Sequence, residues 1–227
     1  MGIGGYHSTV SQPTVPDGLS DILSIPAGTS VLVTGPVMTS KRRLMYALLA
    51  AGDAASRGTT VVTTRKPAHV VEREFRSFAD VSSERLTVVD CLSHGGFGDD
   101  EGGPMRRFVS SPGDLTGIGI ALTEFMRRYH DEGIAARIGL HSLSTMLMYS
   151  DLKRVFQFLH VVTGRIAALE FTGVFVLDEK VVSERDESIL LQAFDAVVEV
   201  RQRETLEVRV RGADYGPRAW TPVSIDD

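Results

Sequence analysis

Along this chain, short runs of β-branched and other apolar residues alternate with longer stretches whose apolar positions recur every three or four residues. Continuous apolar runs suit strands buried on both faces, and the longer spacing marks one face of a helix. Their alternation predicts a parallel sheet with helices packed on both sides. Ser30 to Thr34 reads as the first buried strand and Lys41 to Ala55 as the helix after it. Thr59 to Thr64 reads as the second strand. After Pro67 a helix is expected through Phe78, with Val71, Phe75 and Phe78 on one face. Leu86 to Val89 gives a third strand, Asp114 to Asp131 a helix opened by a Ser-Pro-Gly-Asp turn, and Ala136 to Leu140 a fourth strand. Leu152 to Ala168 is helical, Val174 to Leu177 is a fifth strand, and Ser188 to Phe194 falls in a further helix. Ala196 to Arg201 and Leu206 to Arg211 alternate apolar with charged residues, the mark of an antiparallel hairpin with one wet face.

This pattern spans one domain, residues 19–222, and with 43% hydrophobic residues in 227 there is material for a single large core. Residues 1–18 are polar, contain Pro13 and Pro16, and read as a flexible N-terminal arm; 223–227 form a short tail. Residues 93–103 are glycine-rich and acidic and read as a mobile loop. A net charge of −5 gives the chain as a whole no attraction to nucleic acid or anionic lipid, although local basic patches remain. The lone Cys91 cannot form an intrachain disulfide, and no Cys/His cluster has zinc-ligand spacing, so a reducing compartment and no metal site are expected. There is no basic start followed by an apolar run, and no stretch of roughly 18 apolar residues. Both point to a cytoplasmic protein without a membrane segment.

Candidate chemistry lies between the first strand and the first helix, where Gly35-Pro36-Val37-Met38-Thr39-Ser40-Lys41-Arg42, followed by Arg43, approximates the phosphate-binding P-loop G-x-x-x-x-G-K-[ST]. In such a loop backbone N–H groups and the helix N-terminus cradle phosphates, and Lys41 would pair with the terminal ones. Ser40 stands where the last glycine belongs and keeps its N–H, so the cradle survives if its φ stays negative. Arg42 stands where a hydroxyl would ligate Mg²⁺, and a guanidinium cannot ligate a cation.

Leu23 to Gly52, with Ile25 to Gly35 leading into the loop, resembles the start of a RecA/KaiC-like ATPase domain. The chain is similar in particular to a haloarchaeal branch of the RecA superfamily, sometimes labelled KaiC-like or HTR-like. That branch carries motifs like Ser110 to Ile120 (SSPGDLTGIGI) and Gly139 to Tyr149 (GLHSLSTMLMY). The resemblance runs from about Leu19 to Pro222. It implies a RecA-like fold, a mostly parallel sheet flanked by helices and closed by a C-terminal antiparallel hairpin, with a nucleotide at residues 35–43. It also exposes departures. Where active relatives place a water-activating carboxylate pair after the second strand, this chain has Thr63-Thr64-Arg65-Lys66-Pro67. Where they place Asp-Ser at the end of the fourth strand, it has His141-Ser142.

Together with Arg42 these changes remove a metal ligand, its anchor and the general base, so efficient hydrolysis is not expected. The replacements Arg42, Arg65 and Lys66 are cationic and His141 can become so, which leaves ATP or another nucleotide as candidate ligand with side-chain charge in place of Mg²⁺. By the same resemblance Arg209 and Arg211, on one face of a strand that faces Arg201 and Arg203, are candidates for a finger reaching the nucleotide of a neighbouring subunit in a homo-oligomer. Arg106-Arg107 and Arg127-Arg128 offer phosphate contacts, but no aromatic residues interleave them as stacking platforms, so nucleic acid is an unlikely partner. His141-Ser142 lacks the third group and the elbow of a hydrolase triad. Trp220 is expected to pin the tail. The reading is a regulatory pseudo-ATPase acting through a protein partner; the alternatives are a slow ATPase with rearranged metal ligands, a nucleotide-free scaffold and a DNA-associated recombinase-like factor.

Overall fold

Buried on both faces, the runs Ser30–Gly35 (β1), Gly58–Thr63 (β2) and Leu86–Asp90 (β3) become central strands, joined by Ala136–His141 (β5) and Thr172–Asp178 (β6), whose only half-buried residues are the terminal His141 and Asp178. The computed structural model describes residues 24–93 and 105–225; the expectations for the arm 1–18, for residues 94–103 of the acidic loop and for the last two residues of the tail lie outside these. With Arg106–Phe108 (β4), Ala196–Gln202 (β7), Leu206–Arg211 (β8) and Thr221–Val223 (β9), the strands form one nine-stranded sheet in the order β4-β3-β2-β5-β6-β1-β7-β8-β9. All pairs from β4 to β7 are parallel, and β7-β8 and β8-β9 are antiparallel.

Helices α1 (Lys41–Ala50) and α2 (Ala68–Arg76) cover one face, with Leu44, Met45, Tyr46 and Phe75 in a core with the sheet. Helices α3 (Leu115–Asp131), α4 (Leu143–Tyr149), α5 (Leu152–Ala168) and α6 (Glu184–Leu191) cover the other, where Ile118, Leu122, Phe125 and Leu159 form a second core. Side chains on α1 approach β5 closely because residue 139 has no Cβ: one placed there would sit 2.5 Å from Leu49 Cδ1. Gly35 is more constrained, since a Cβ would lie 2.3 Å from the Val200 carbonyl oxygen of β7.

The predicted hairpin is present, but Arg203 belongs to its turn rather than to the strand facing Arg209 and Arg211, its N–H donating to the Thr205 carbonyl at 3.0 Å. Helix α1 stops at Ala50, short of the expected Ala55. Two arginines from outside the helix close that end: Arg57 donates to the Ala51 carbonyl and Arg137 of β5 to those of Leu48 and Leu49. Helix α6 begins earlier than expected because Ser183 caps it by accepting from the Asp186 N–H at 3.2 Å. Phe194 lies beyond the helix and packs at 5.2 Å against the Phe175 ring. Trp220 lies between two guanidinium groups, 4.2 Å from that of Arg201 and 4.6 Å from that of Arg209, which fixes the segment leading into β9. Cys91 is buried, and burial pushes its thiol up to about 12, far from a reactive thiolate.

The two glycines separate backbone crowding from side-chain crowding. Gly35→Ala, whose new methyl meets a strand carbonyl, is expected to cost about 3 kcal/mol, whereas Gly139→Ala, whose methyl meets the movable end of Leu49, costs about 1 kcal/mol. Urea unfolding midpoints of the two variants check the order.

Candidate functional site

Strand β1 is the point where the chain's direction across the sheet reverses: α1 leads from it toward β2 on one side, while its other neighbour β7 opens the hairpin. In open parallel sheets the crevice at the carboxyl ends of strands around such a point is where ligands bind. Here it gathers the residues that the sequence picked from distant stretches. Gly35 pairs in register with Asp178 of β6, and Thr63 of β2 with His141 of β5. A crevice of about 390 Å³ results, lined by residues 37–43 from the loop and first turn of α1, by Arg65 and Lys66 after β2, by His141 and by Asp178. Gly35 and Pro36 are not in the lining; their carbonyls accept from Lys41. Ser142, fully buried, is not part of the lining; its hydroxyl caps α4 by accepting from Thr145 N–H at 3.4 Å and makes no contact with His141 that would suit a nucleophile.

Ser40 has φ −73°, so the missing glycine costs nothing there, while Met38 at the tip takes φ 65° and is 99% exposed. Lys41 is drawn back beneath the loop. Its ammonium is almost entirely buried and donates to the carbonyls of Gly35 (2.9 Å) and Pro36 and to Thr39 Oγ1 (2.9 Å), with Asp178 Oδ1 at 3.0 Å. Arg65 approaches the other Asp178 oxygen at 4.0 Å. Arg42 lies 3.2 Å from Glu74 of α2, which also pairs with Lys66. The cations expected to substitute for a metal are therefore partly neutralised. Four cationic side chains of the lining, Lys41, Arg42, Arg65 and Lys66, share two carboxylates, Asp178 and Glu74, so positive charge is in excess among them. Neither carboxylate was singled out from sequence. Asp178 had a readable signal, an acidic residue just past a buried strand; Glu74 had none, since only the packing of α2 on α1 brings it there.

One sequence expectation changes. His141 is not a fourth cation: burial first, then the positive charges of Arg42 and Arg65, push its imidazole down to about 4, so it is neutral at pH 7. Arg209 and Arg211, the candidates for a finger toward a neighbouring subunit, lie outside this chain's own crevice. Both pair with Glu199 on the adjacent strand, Arg211 at 2.8 Å, and Arg209 stacks on Trp220 as well. Arg106 and Arg107 likewise pair with Glu72 and Glu124, and Arg128 with Glu132.

A further asymmetry concerns helix ends. Asp114, Ser142, Asp151 and Ser183 cap α3, α4, α5 and α6 with side-chain oxygens, and Asp90 of β3 accepts the first N–H of α2 at 2.8 Å. Helix α1 has no side-chain cap and no acidic residue in its first turn, which instead carries Lys41, Arg42 and Arg43. Cations at the positive end of a helix dipole are unfavourable by a few tenths to 1 kcal/mol each, so this end carries an electrostatic cost that no side-chain cap offsets.

A mostly parallel sheet with a P-loop-like turn at its switch point and an antiparallel hairpin on its edge is a RecA-like α/β fold. The chain belongs to a family of unknown function, DUF7504, whose profile matches residues 28–200. Among solved structures, a KaiC-like protein of the hyperthermophilic archaeon Pyrococcus horikoshii OT3 superposes with a TM-score of 0.58 at 15% identity, over 87% of this chain and 83% of that one. No curated protein matches the sequence.

Two measurements test the electrostatics. Lys41→Met leaves the Asp178 carboxylate without its closest partner and is expected to lower stability by about 3 kcal/mol, most of it restored in Lys41→Met/Asp178→Asn. For His141 the sign follows from its depressed value. Above pH 6.5 the imidazole is neutral in both states; between 6.5 and about 4 the unfolded chain takes up a proton that the folded one refuses, so stability falls with pH and levels off below. The loss is at most roughly 3 kcal/mol. It is read as the difference in unfolding free energy between wild type and His141→Asn across that window.

Proposed function

We propose that this chain is a regulatory KaiC-like pseudo-ATPase that holds the phosphates of ATP or another nucleotide in the crevice before α1, does not hydrolyse them efficiently, and acts through a protein partner. The observation that carries the reading is the start of α1: an uncapped helix end, cationic through its first turn and opening on a crevice with excess positive charge. An arrangement that unfavourable on its own is what a site shaped for a polyanion requires.

The donors present do not suit Mg²⁺. Arg42 stands in the hydroxyl position, Asp178 is engaged by Lys41, and among the described residues no three His, Cys, Asp or Glu side chains cluster as metal ligands. His141 and Arg65 stand where relatives keep carboxylates, and neither recruits a metal-bound water. Phosphate oxygens would instead take hydrogen bonds from backbone N–H groups at the start of α1, and the guanidinium of Arg65 would reach them from the opposite wall. Binding then involves an exchange of partners, since Lys41, Arg42 and Lys66 would have to share their protons between ligand and carboxylate. Among the described residues no helix is long and apolar enough to cross a membrane.

Calorimetry with ATP in EDTA is expected to show binding, weakened about tenfold or more by Arg65→Ala, which removes a half-exposed side chain with little cost to the fold. Phosphate release stays at background with Mg²⁺ present. Binding that appears only with Mg²⁺, or none at all, sinks the reading, and turnover abolished by Lys41→Ala would make the protein a slow ATPase instead.

A further inference from the structure

On the opposite face from α1, helices α3 and α5 lie side by side and leave an open groove of about 800 Å³ between their outer stripes. Thr116, Ile120, Thr123 and Arg127 follow one another on α3, and Arg154, Gln157, Val161 and Arg165 on α5, at the spacing that places each set along one side of its helix. The middle is apolar and unpartnered. Ile120 is 64% exposed and Val161 62%, above a floor that includes Phe158, and Gly119 contributes no side chain that would fill the gap.

The ends are basic. Arg154 stands at one, and Arg127 and Arg165 at the other, where Arg165 donates to Thr123 Oγ1. Glu124 is the acidic residue of the lining, and Arg107 holds its carboxylate at 2.7 Å. Arg127 and Arg154 make no ion pair among the described residues. The groove is thus positive on a chain whose net charge is −5.

The geometry points to a docking groove for an amphipathic helix of a partner protein, carrying apolar side chains in its middle turns and carboxylates at both ends of the contact. Arg154 and Arg165 are eleven positions apart on one helix, roughly 16 Å, so the matching segment is about three turns long with acidic residues at its first and last turns. A concave channel between two helices accepts a helix better than a flat lipid surface, and charge of opposite sign at both ends fixes where it sits. The groove would serve whether or not the α1 crevice holds a nucleotide. It gives a chemistry for the partner that the functional reading requires.

The test uses the full chain and a fluorescein-labelled helical peptide of about 18 residues, leucines at three-to-four spacing and glutamates at both ends, beside a twin whose glutamates are lysines. Fluorescence anisotropy is expected to show the acidic peptide binding and its lysine twin about tenfold weaker or worse. Arg127→Glu/Arg154→Glu, both exposed positions, is expected to lose a similar factor with an unchanged unfolding midpoint, and hydrogen exchange on binding should slow in α3 and α5. Absence of binding, equal binding of the two peptides, or protection elsewhere in the chain overturns the assignment. So does a chain that ignores the peptide but sediments with phosphatidylserine vesicles, or one that forms a dimer lost in Val161→Glu.

Discussion

The position of one ammonium group organises this site. Lys41 begins α1, yet its side chain turns back under the loop to the carbonyls of Gly35 and Pro36, to Thr39 and to Asp178, so that one buried charge ties the end of β1, the loop, the helix and the end of β6 together. A buried cation with fewer acceptors would be costly, and a buried aspartate without the cation equally so. The register Gly35 to Asp178 is what lets both be satisfied at once. Gly35 is in turn wedged against the backbone of β7 with no room for a side chain, so the strand, the loop and the ion pair are placed by one set of contacts.

Around that fixed charge the other cations are held less firmly. Arg42 and Lys66 share Glu74, which belongs to a different helix, and Arg65 approaches Asp178 only at 4.0 Å with half of its side chain in solvent. Such pairs contribute little to stability individually, because partly solvated charges are screened and long side chains lose freedom when pinned. Their effect is to keep mutually repelling cations at one helix end without unfolding it. His141 contributes in the opposite way. Held neutral first by burial and then by the charges of Arg42 and Arg65, it adds no further repulsion.

Much of this was legible in the sequence, for reasons that differ by element. Strands buried on both faces leave continuous apolar runs, so β1, β2, β3, β5 and β6 could be read within a residue or two, α5 announced itself by spacing and α3 by the turn that ends in its cap Asp114, while the cap Asp151 of α5 was not read. Strand β4 could not be read, because Arg106 and Arg107 disguise a half-buried three-residue edge, and β9 hides a proline that only an edge strand tolerates. Helix α4 is a seven-residue turn of chain fixed by Ser142, too short for periodicity. In the site, Lys41, Arg42, Arg65, Lys66 and His141 were found because a motif and a resemblance pointed to strand ends. Glu74 was not, since a carboxylate brought in by helix packing has no pattern along the chain. The pairing of Arg209 with Glu199 and Trp220 was missed for the same reason: alternation placed the arginine on a face, but what else shares that face depends on the register of β7, β8 and the segment before β9.

The two carboxylates also set the character of anything that binds in the crevice. A polyanion meets cations already engaged, and the free energy gained from each new contact is reduced by the contact given up. Affinity for phosphate alone is thereby held down, and it falls further with salt. The uncapped N-terminus of α1 is different, because no intramolecular side chain has to be displaced from it. For the proposed polyanion, net attraction would therefore come chiefly from backbone N–H groups and from the helix dipole, with the arginines selecting for charge and reach. Displacing Glu74 from Arg42 and Lys66 would also loosen the tie between α1 and α2 on one face of the sheet, so under the proposed function occupancy of the crevice would be linked to how those helices pack.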